Sequence, residues 1–153
     1  MNNDKVFAGQ TALVTGGSKG IGRAVADCLA DAGCALVLAA RTDKELSATA
    51  ETIAAAKGVS VETVVVDLSE PKERARLVES YPAVDLLVNN AGAIPGGTLE
   101  AVDETRWREG WDLKVFGYVD LCRKYYGQMA ERGRGVIVNI IGAAGQVPDV
   151  NYI

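Results

Sequence analysis

The sequence predicts an α/β fold in which a doubly wound parallel β-sheet is covered by helices on both faces. Hydrophobic periodicity switches repeatedly between short apolar runs and helical patterns, which is the sequence form of alternating strands and helices. The run 34–40 is apolar throughout, as expected of a parallel strand buried on both faces. With 153 residues and no internal repeat or linker, we expect a single domain over residues 1–153.

The N-terminal part predicts a strand, a helix and a second strand. The first strand is predicted at 11–15, an apolar run that ends in glycines. The helix predicted at 20–32 has one apolar face and stops at Gly33, because glycine is favoured just past a helix end. That face is formed by Ile21, Ala24, Val25, Cys28 and Leu29. The apolar run 34–40 then forms the second strand.

The second helix is predicted from its start signal. Thr42 and Glu45 have the spacing of a capping box, in which each side chain accepts a hydrogen bond from a free backbone N–H of the first turn. The segment that follows is rich in alanine and is predicted to end near Gly58. A third strand is predicted at 61–66, where valines dominate.

A third helix is predicted within 68–80. Ser69 is its expected N-cap and Pro71 lies in its first turn, and both are signals of a helix start. The apolar run 84–88 follows as the fourth strand.

The last predicted elements are a long helical region and a fifth strand. The pattern from 103 to 132 predicts a short helix leading into a long one, with a break near Gly110. The strand is predicted at 135–141. The apolar residues of the long helix are Leu113, Phe116, Val119 and Met129.

Composition excludes several classes of function. The net charge of −4 provides no basic field for nucleic acid or anionic lipid, so we expect neither as a partner. Three cysteines without any histidine are interpreted as reduced packing residues (Cys28, Cys34 and Cys122), and no metal site is expected. The N-terminus lacks the pattern of a signal peptide, so we expect a cytoplasmic protein.

A glycine-rich segment, Thr15 to Gly22, lies between the first strand and the first helix and reads T-G-G-S-K-G-I-G. Glycines at such a turn let the chain bend sharply, let the backbone approach a pyrophosphate, and let the helix pack closely on the strand. The helix N-terminus then faces the anion. A glycine-rich turn without a ligand is the alternative. The position of the segment favours a Rossmann-type dinucleotide site.

The glycine spacing resembles the T-G-x-x-x-G-I-G fingerprint of the short-chain dehydrogenase/reductase family. The resemblance continues through Asp67-Leu68, through Asn89-Asn90-Ala91-Gly92, and through V-I-V-N-I at 136–140. It implies the strand order 3-2-1-4-5, an aspartate on the adenine, and an N-N-A-G turn that supports the central strand. The cofactor-binding residues it implies, together with the basic residues discussed next, are Gly16, Ser18, Lys19, Gly20, Ile21, Gly22, Arg41, Asp67, Leu68, Asn90, Ala91 and Gly92.

Charge at the end of the second strand predicts NADP rather than NAD. A carboxylate there would bind a free ribose 2′-hydroxyl and repel a 2′-phosphate. The chain instead has Ala40 followed by Arg41, and Lys19 lies in the glycine turn. A guanidinium suits bidentate contact with a phosphate. Each cation alone is more often a solvated surface charge, and it is their combination that favours NADP.

The positions that carry catalysis in the resembled family are occupied differently in this chain. Lys114 aligns with the helix asparagine, since this register also keeps the glycine of N-x-x-G; Asp112 would lose that glycine. Ile141 and Gly142 align with the two serines and carry no hydroxyl. Tyr152 lies too near Gly142 for the family spacing and has no lysine at the fourth position after it, so we interpret it as a loop or terminal aromatic.

Lys114 is the candidate catalytic residue. A lysine in a pocket of low dielectric can act as an acid or base or can pair with an anion. A solvated helix lysine is the alternative for the same position.

The resemblance, together with the charge at the ribose end, therefore implies an NADP(H)-dependent oxidoreductase that transfers hydride between nicotinamide and a small carbonyl or alcohol. The alternatives are a non-catalytic NADP-binding sensor or regulatory module, and an interaction domain with a vestigial site. We favour the enzyme, although the chain lacks the family's serine and Y-x-x-x-K. A further helix and two strands follow this point in the family, so we expect the strand 135–141 to be an exposed edge in this chain. The chain is then either a piece of a longer enzyme or a homo-oligomer that covers its exposed apolar surface with a second copy.

Overall fold

Strands and helices alternate along the chain, as the sequence predicts. The computed structural model describes residues 5–92, 96–98 and 100–142. The strands are β1 (Thr11–Thr15), β2 (Ala35–Ala40), β3 (Val61–Val65), β4 (Leu86–Asn89) and β5 (Val136–Asn139). The helices are α1 (Gly20–Asp31), α2 (Asp43–Lys57), α3 (Pro71–Ser80), α4 (Glu104–Trp111) and α5 (Tyr118–Arg132), and a π-helical segment (Asp112–Gly117) joins the last two.

The five strands form one parallel sheet in the order β3-β2-β1-β4-β5. This confirms the predicted fold class and strand order. Because the chain starts in the middle at β1, moves outward to β3 and then returns to β4, the order reverses between β1 and β4. A crevice opens at the carboxyl ends of the strands at such a reversal, and ligands bind there in open α/β sheets.

Successive residues of the central strand point to opposite faces of the sheet and into different apolar clusters. Leu13 of β1 packs with Leu87, Leu121 and Tyr125 on the face covered by α3 and α5. Val14 belongs to the other cluster, beneath α1 and α2, together with a set of apolar residues that includes Ala12, Leu36, Leu38, Leu46 and Ile53. Burying a side chain of the size of leucine contributes about 1.5–3 kcal/mol, so both faces of β1 stabilise the sheet.

The buried face of α1 differs from the predicted one. Gly22, Ala26 and Ala30 are buried, whereas Ile21 is 61% exposed and Ala24 and Cys28 are also exposed. Val25 and Leu29 are partly buried at the border of the cluster. The helix turns its smallest residues to the sheet because they allow the closest approach of helix to strand. The small size of these side chains, rather than their hydrophobicity, therefore determines which face of α1 packs against the sheet.

The predicted start of α2 at Thr42 is correct, but its capping-box hydrogen bonds are absent among the described residues, and the predicted N-cap of α3 is wrong. Thr42 is the N-cap of α2, but its side chain makes no capping hydrogen bond, and Glu45 instead pairs with Lys19. The N-cap of α3 is Glu70 rather than Ser69, because Ser69 donates from both its backbone N and its Oγ to Oδ1 of Asp67. In both cases the side chain that was expected to cap the helix binds another residue instead: Glu45 binds Lys19, and Ser69 binds Asp67.

The long helical region has no break near Gly110. It continues through the π-helical segment, whose wider turn shifts the phase of the residues that follow. Leu113 and Met129 pack against the core, but Phe116 is 53% and Val119 52% exposed. Two of the four apolar side chains named for this region therefore face outward.

The cysteines differ from one another in burial. Cys34 is buried, Cys122 is intermediate and Cys28 is exposed, so the interpretation as packing residues fails for Cys28. Burial raises the pKa of the Cys34 thiol to about 11. Within the described ranges, no helix has the length and apolar character of a membrane span.

Candidate functional site

A cleft of about 720 Å³ opens at the carboxyl ends of the strands, where the strand order reverses. It contains every predicted cofactor-binding residue except Gly20 and Gly22, together with Lys114. The predicted residues in its lining are Gly16, Ser18, Lys19, Ile21, Arg41, Asp67, Leu68, Asn90, Ala91, Gly92 and Lys114. Residues far apart in the sequence thus meet in one crevice.

The glycine turn forms the base of the cleft. Gly16 has a φ of +66° and Gly20 a φ of +57°, a left-handed conformation that glycine adopts at little cost. A Cβ on Gly22 would overlap the carbonyl oxygen of Gly16 and Nδ2 of Asn90. Gly20 and Gly22 therefore act through backbone shape rather than by lining the cleft.

A network of hydrogen bonds joins the carboxyl ends of β1 and β4. The buried hydroxyl of Thr15 donates to the carbonyl of Val88 at 3.2 Å and accepts from the backbone N of Asn90 at 2.9 Å and of Ala91 at 3.0 Å. Nδ2 of Asn90 donates to the carbonyls of Thr15 and Gly16 at 3.0 and 3.2 Å. These bonds hold the glycine turn against the Asn90 turn.

Sequence reasoning did not single out Thr15 as a site residue. The signal was present, since Thr15 directly precedes the first glycine of the turn. Its hydroxyl is needed because the backbone N–H groups of Asn90 and Ala91 leave the sheet at this point and require an acceptor.

One end of the cleft carries two predicted cations and an unpredicted carboxylate. Arg41 lines it in an exposed position. Nζ of Lys19 lies 3.3 Å from Oε2 of Glu45, and their side chains are 77% and 47% exposed. Thr42 completes this end. Sequence reasoning assigned Glu45 to a helix cap and so missed it as a cleft residue.

Asp67 lies beside this cationic end, just past β3. Burial alone would raise the pKa of its carboxyl, but hydrogen bonds from Ser69 and the nearby charge of Arg41 outweigh burial and hold the pKa below its ordinary value. The Ser69 bonds measure 3.0 Å from the backbone N and 2.7 Å from Oγ. The carboxylate is therefore ionised and its orientation is fixed.

Lys114 lies in the cleft with Gly92 and Ile140, in the π-helical segment. Its Nζ donates to the carbonyl of Ile140 at 2.6 Å and to Oη of Tyr118 at 2.8 Å, and lies 4.6 Å from the centre of the Tyr118 ring. Burial lowers the pKa of this ammonium. A Cβ on Gly92 would lie 2.9 Å from Cδ of Lys114, so glycine leaves the room that the lysine occupies.

A lysine ammonium has three N–H donors. The two contacts to Ile140 and Tyr118 fix Lys114, and among the described residues they leave one donor for a ligand. The neighbouring positions aligned with serines, Ile141 and Gly142, also line the cleft and offer no hydroxyl. Tyr152 lies outside the described residues.

Comparison with known proteins identifies the family. The model of the short chain dehydrogenase family matches residues 10–153. An uncharacterized oxidoreductase of Bacillus subtilis, YvaG, is 31% identical over 144 residues, which are 92% of this chain and 53% of that protein. The 3-oxoacyl-(acyl-carrier-protein) reductase FabG of Staphylococcus aureus is 32% identical over 94% of this chain and 61% of its own length. The chain thus spans between half and two thirds of these relatives.

Solved structures agree with this comparison. The L-sorbose reductase of Gluconobacter frateurii, in complex with NADPH and L-sorbose, has a TM-score of 0.91 and 33% identity over 97% of this chain and 58% of its own. A 3-oxoacyl-(acyl-carrier-protein) reductase of Agrobacterium tumefaciens with NADP bound has a TM-score of 0.91 and 30% identity over 99% of this chain and 60% of its own. With the motifs, the fold and the family match in agreement, the chain belongs to the short-chain dehydrogenase/reductase family.

Proposed function

We propose that this chain is the cofactor-binding domain, over residues 1–153, of an NADP(H)-dependent oxidoreductase. It transfers hydride between nicotinamide and a small-molecule carbonyl or alcohol. The observation that carries the proposal is the cleft at the strand-order reversal, which has Arg41 and Lys19 at one end and the fixed ammonium of Lys114 beside Gly92. The family membership supports a nicotinamide cofactor.

Each part of NADP(H) has a matching group in the cleft. The pyrophosphate suits the glycine turn at Gly16 to Gly22, because free N–H groups of a helix N-terminus favour an anion. The adenine suits the neighbourhood of Asp67 and Leu68, and the nicotinamide suits the strip formed by Asn90, Ala91 and Gly92. When bound, the cofactor supplies the hydride, and the residues of this chain hold and orient it.

The preference for NADP over NAD rests on the cationic end. A 2′-phosphate needs charge-assisted donors, which Arg41 and Lys19 provide, and the end of β2 has Ala40 where a carboxylate would repel the phosphate. The structure of the sorbose reductase contains NADPH, and that of the Agrobacterium reductase contains NADP. These relatives support the same choice here.

The test is a titration of the purified protein with NADPH and NADH, followed by cofactor fluorescence. We expect tighter binding of NADPH, and we expect Arg41→Ala to weaken it by roughly 10- to 100-fold, since a hydrogen bond to a charged group contributes about 1.5–3 kcal/mol. The affinity for NADH should change by less than about threefold, because NADH lacks the phosphate.

Arg108→Ala is the matched control for this titration. It removes the same charge from an exposed position on α4 outside the cleft, so NADPH should bind it as it binds the wild type. Equal loss in both variants, or no loss in Arg41→Ala, contradicts the assignment of the ribose site. Absence of binding of either cofactor contradicts the proposed function.

We propose Lys114 as the catalytic residue. Its remaining N–H donor suits the substrate oxygen, where negative charge develops as hydride arrives at a carbonyl carbon. The hydrogen bonds to Ile140 and Tyr118 fix the ammonium before substrate binds, so little reorganisation is needed during the reaction. This role fits a site whose aligned serine positions carry no hydroxyl.

Lys114→Met is expected to lower kcat/KM for carbonyl reduction by roughly 100-fold, which is the effect of removing one donor from an oxyanion site. The measurement is NADPH oxidation with a panel of aldehydes and ketones, beside the NADPH affinity of the same variant, which should stay within a few-fold. Lys124→Met, on an exposed position of α5, is the control. Unchanged kcat/KM would exclude Lys114, and NADPH binding without turnover in the wild type would favour a regulatory module.

We further propose that the protein is a cytoplasmic homo-oligomer. Apolar side chains are exposed on β5 and on the long helical region, where Val136, Val119 and Phe116 are each about half exposed. Apolar surface of this kind favours association. Light scattering measures the mass directly, and a monomeric mass at micromolar concentration contradicts the proposal.

A further inference from the structure

Glu45 is a carboxylate at the end of the cleft where the proposed function needs positive charge. It lies in the first turn of α2 and lines the cleft with Arg41 and Thr42. Its Oε2 is 3.3 Å from Nζ of Lys19. One of the two cations assigned to the 2′-phosphate is therefore already paired with an anion of the protein.

This pair opposes a phosphate in two ways. The carboxylate of Glu45 repels a second anion within the same part of the cleft, and its contact with Lys19 reduces the field that the ammonium presents. A phosphate monoester carries a charge of about −1.5 to −2 near neutral pH. To gain the full attraction of Lys19, the phosphate must displace Glu45 or share the ammonium with it.

Glu45 affects NAD(H) differently. A ribose 2′-hydroxyl is a neutral hydrogen-bond donor, and a carboxylate at the ribose end accepts from it rather than repelling it. The same charge therefore opposes the phosphorylated cofactor and tolerates the unphosphorylated one. This difference is a basis for specificity.

We propose that Glu45 is a specificity-determining residue that weakens NADP(H) binding and so narrows the preference of this site for NADP(H) over NAD(H). The proposal rests on the proposed function, because it concerns the same cofactor site. The opposite role, in which Glu45 orients Lys19 for the phosphate, is disfavoured by exposure. With side chains 77% and 47% exposed, the pair fixes the geometry of the lysine only weakly.

The test compares Glu45→Gln with the wild type by NADPH and NADH titration at low ionic strength. We expect Glu45→Gln to bind NADPH about 3- to 10-fold more tightly, the range for one partly exposed charge a few ångströms from another. Its NADH affinity should stay equal or fall slightly. The gain should shrink at high salt, which screens exposed charges.

Glu51→Gln is the matched control, because Glu51 is exposed on the same helix and lies outside the cleft lining. It removes the same charge from α2 and should change both affinities by less than about twofold. A double-mutant cycle adds Lys19→Met. Its NADPH penalty should be larger in the Glu45→Gln background than in the wild type, because the lysine is then free of its partner.

The outcomes separate this inference from the function on which it rests. Weaker NADPH binding by Glu45→Gln, or a gain no larger than that of Glu51→Gln, overturns the role of Glu45 while the wild-type titration still supports the NADP(H) site. Failure of the wild type to bind either cofactor overturns the proposed function, and the role of Glu45 falls with it.

Discussion

Replacing Gly22 with alanine should destabilise the fold by about 2–3 kcal/mol, the upper part of the range for forced overpacking. Intrinsic propensity argues for the opposite sign, because alanine is favoured over glycine inside a helix by up to about 1 kcal/mol. The steric effect prevails because Gly22 is buried on α1 and its Cβ would overlap the carbonyl oxygen of Gly16 and Nδ2 of Asn90. The first of these is backbone, which cannot rotate away.

Gly127→Ala is the matched control for this prediction. Gly127 is also a helical glycine, on α5, but a Cβ there would meet no atom within 4 Å. It should gain stability by up to about 1 kcal/mol. Urea unfolding of both variants measures the difference directly, and equal stabilities would contradict the steric argument.

Gly22→Ala should also lose cofactor affinity. To make room for the methyl group, the Gly16 peptide and the Asn90 side chain must move, and the latter holds the turn through its bonds to the carbonyls of Thr15 and Gly16. NADPH affinity of Gly22→Ala below that of Gly127→Ala, measured on folded protein, is the expected result.

The elements of the sheet were predictable because their signals are local and redundant. Four of the five strands lie in apolar runs and β3 in a valine-rich one, and the strand bounds in the structure differ from the predicted ones by at most two residues. The resemblance then supplied the order of the strands, which local pattern alone does not contain. The fold class, the order and the family are all confirmed.

Features that depend on three-dimensional competition were not predictable. The apolar side chain of Ile21 predicts a buried position, but Ile21 is exposed and α1 packs against the sheet through Gly22 and Ala26. The close approach of the helix to the sheet outweighs the burial of a larger residue. Glu45 fits a capping box, yet a lysine from another element lies within reach and takes its carboxylate. Sequence spacing does not contain these distant partners.

The candidate site shows the same division. Residues of the glycine turn and of the turn after β4 were predictable because motif residues lie at the carboxyl ends of neighbouring strands. Thr15 and the carbonyl of Ile140 were missed. Thr15 accepts a hydrogen bond from Asn90 and the Ile140 carbonyl accepts one from Lys114, and only the fold brings these partners together. Lys114 was identified as a candidate, but its partner Tyr118 was not.

Arg74→Met should destabilise the fold by about 3 kcal/mol, the lower end of the range for breaking a buried ion pair from one side. Arg74 is only 5% exposed. Its Nε donates to Oδ2 of Asp120 at 3.0 Å, and its Nη1 donates to the carbonyls of Leu68 and Ser69 at 2.7 and 2.9 Å. Methionine fills similar volume but leaves these acceptors without their donor. The side chain of Asp120 is 25% exposed, so water compensates part of the loss.

The consequence of Arg74→Met extends to the cleft. Arg74 fixes the carbonyls of the segment that follows β3, and Asp67 and Leu68 of that segment line the cleft. We therefore expect weaker binding of the adenine part of the cofactor, measured as a loss of affinity for both NADPH and NADH. A loss confined to NADPH would instead indicate the ribose end and contradict this reasoning.

Arg76→Met on the same helix is the control, because its ion pair with Glu73 is exposed and exposed pairs contribute little. Its unfolding midpoint in urea should lie close to that of the wild type, whereas that of Arg74→Met should fall clearly. Adding Asp120→Leu to Arg74→Met should recover part of the lost stability, since it removes the carboxylate left unpaired. Full additivity of the two substitutions would show that Arg74 stabilises the fold through the two carbonyls alone, and that its pairing with Asp120 contributes nothing.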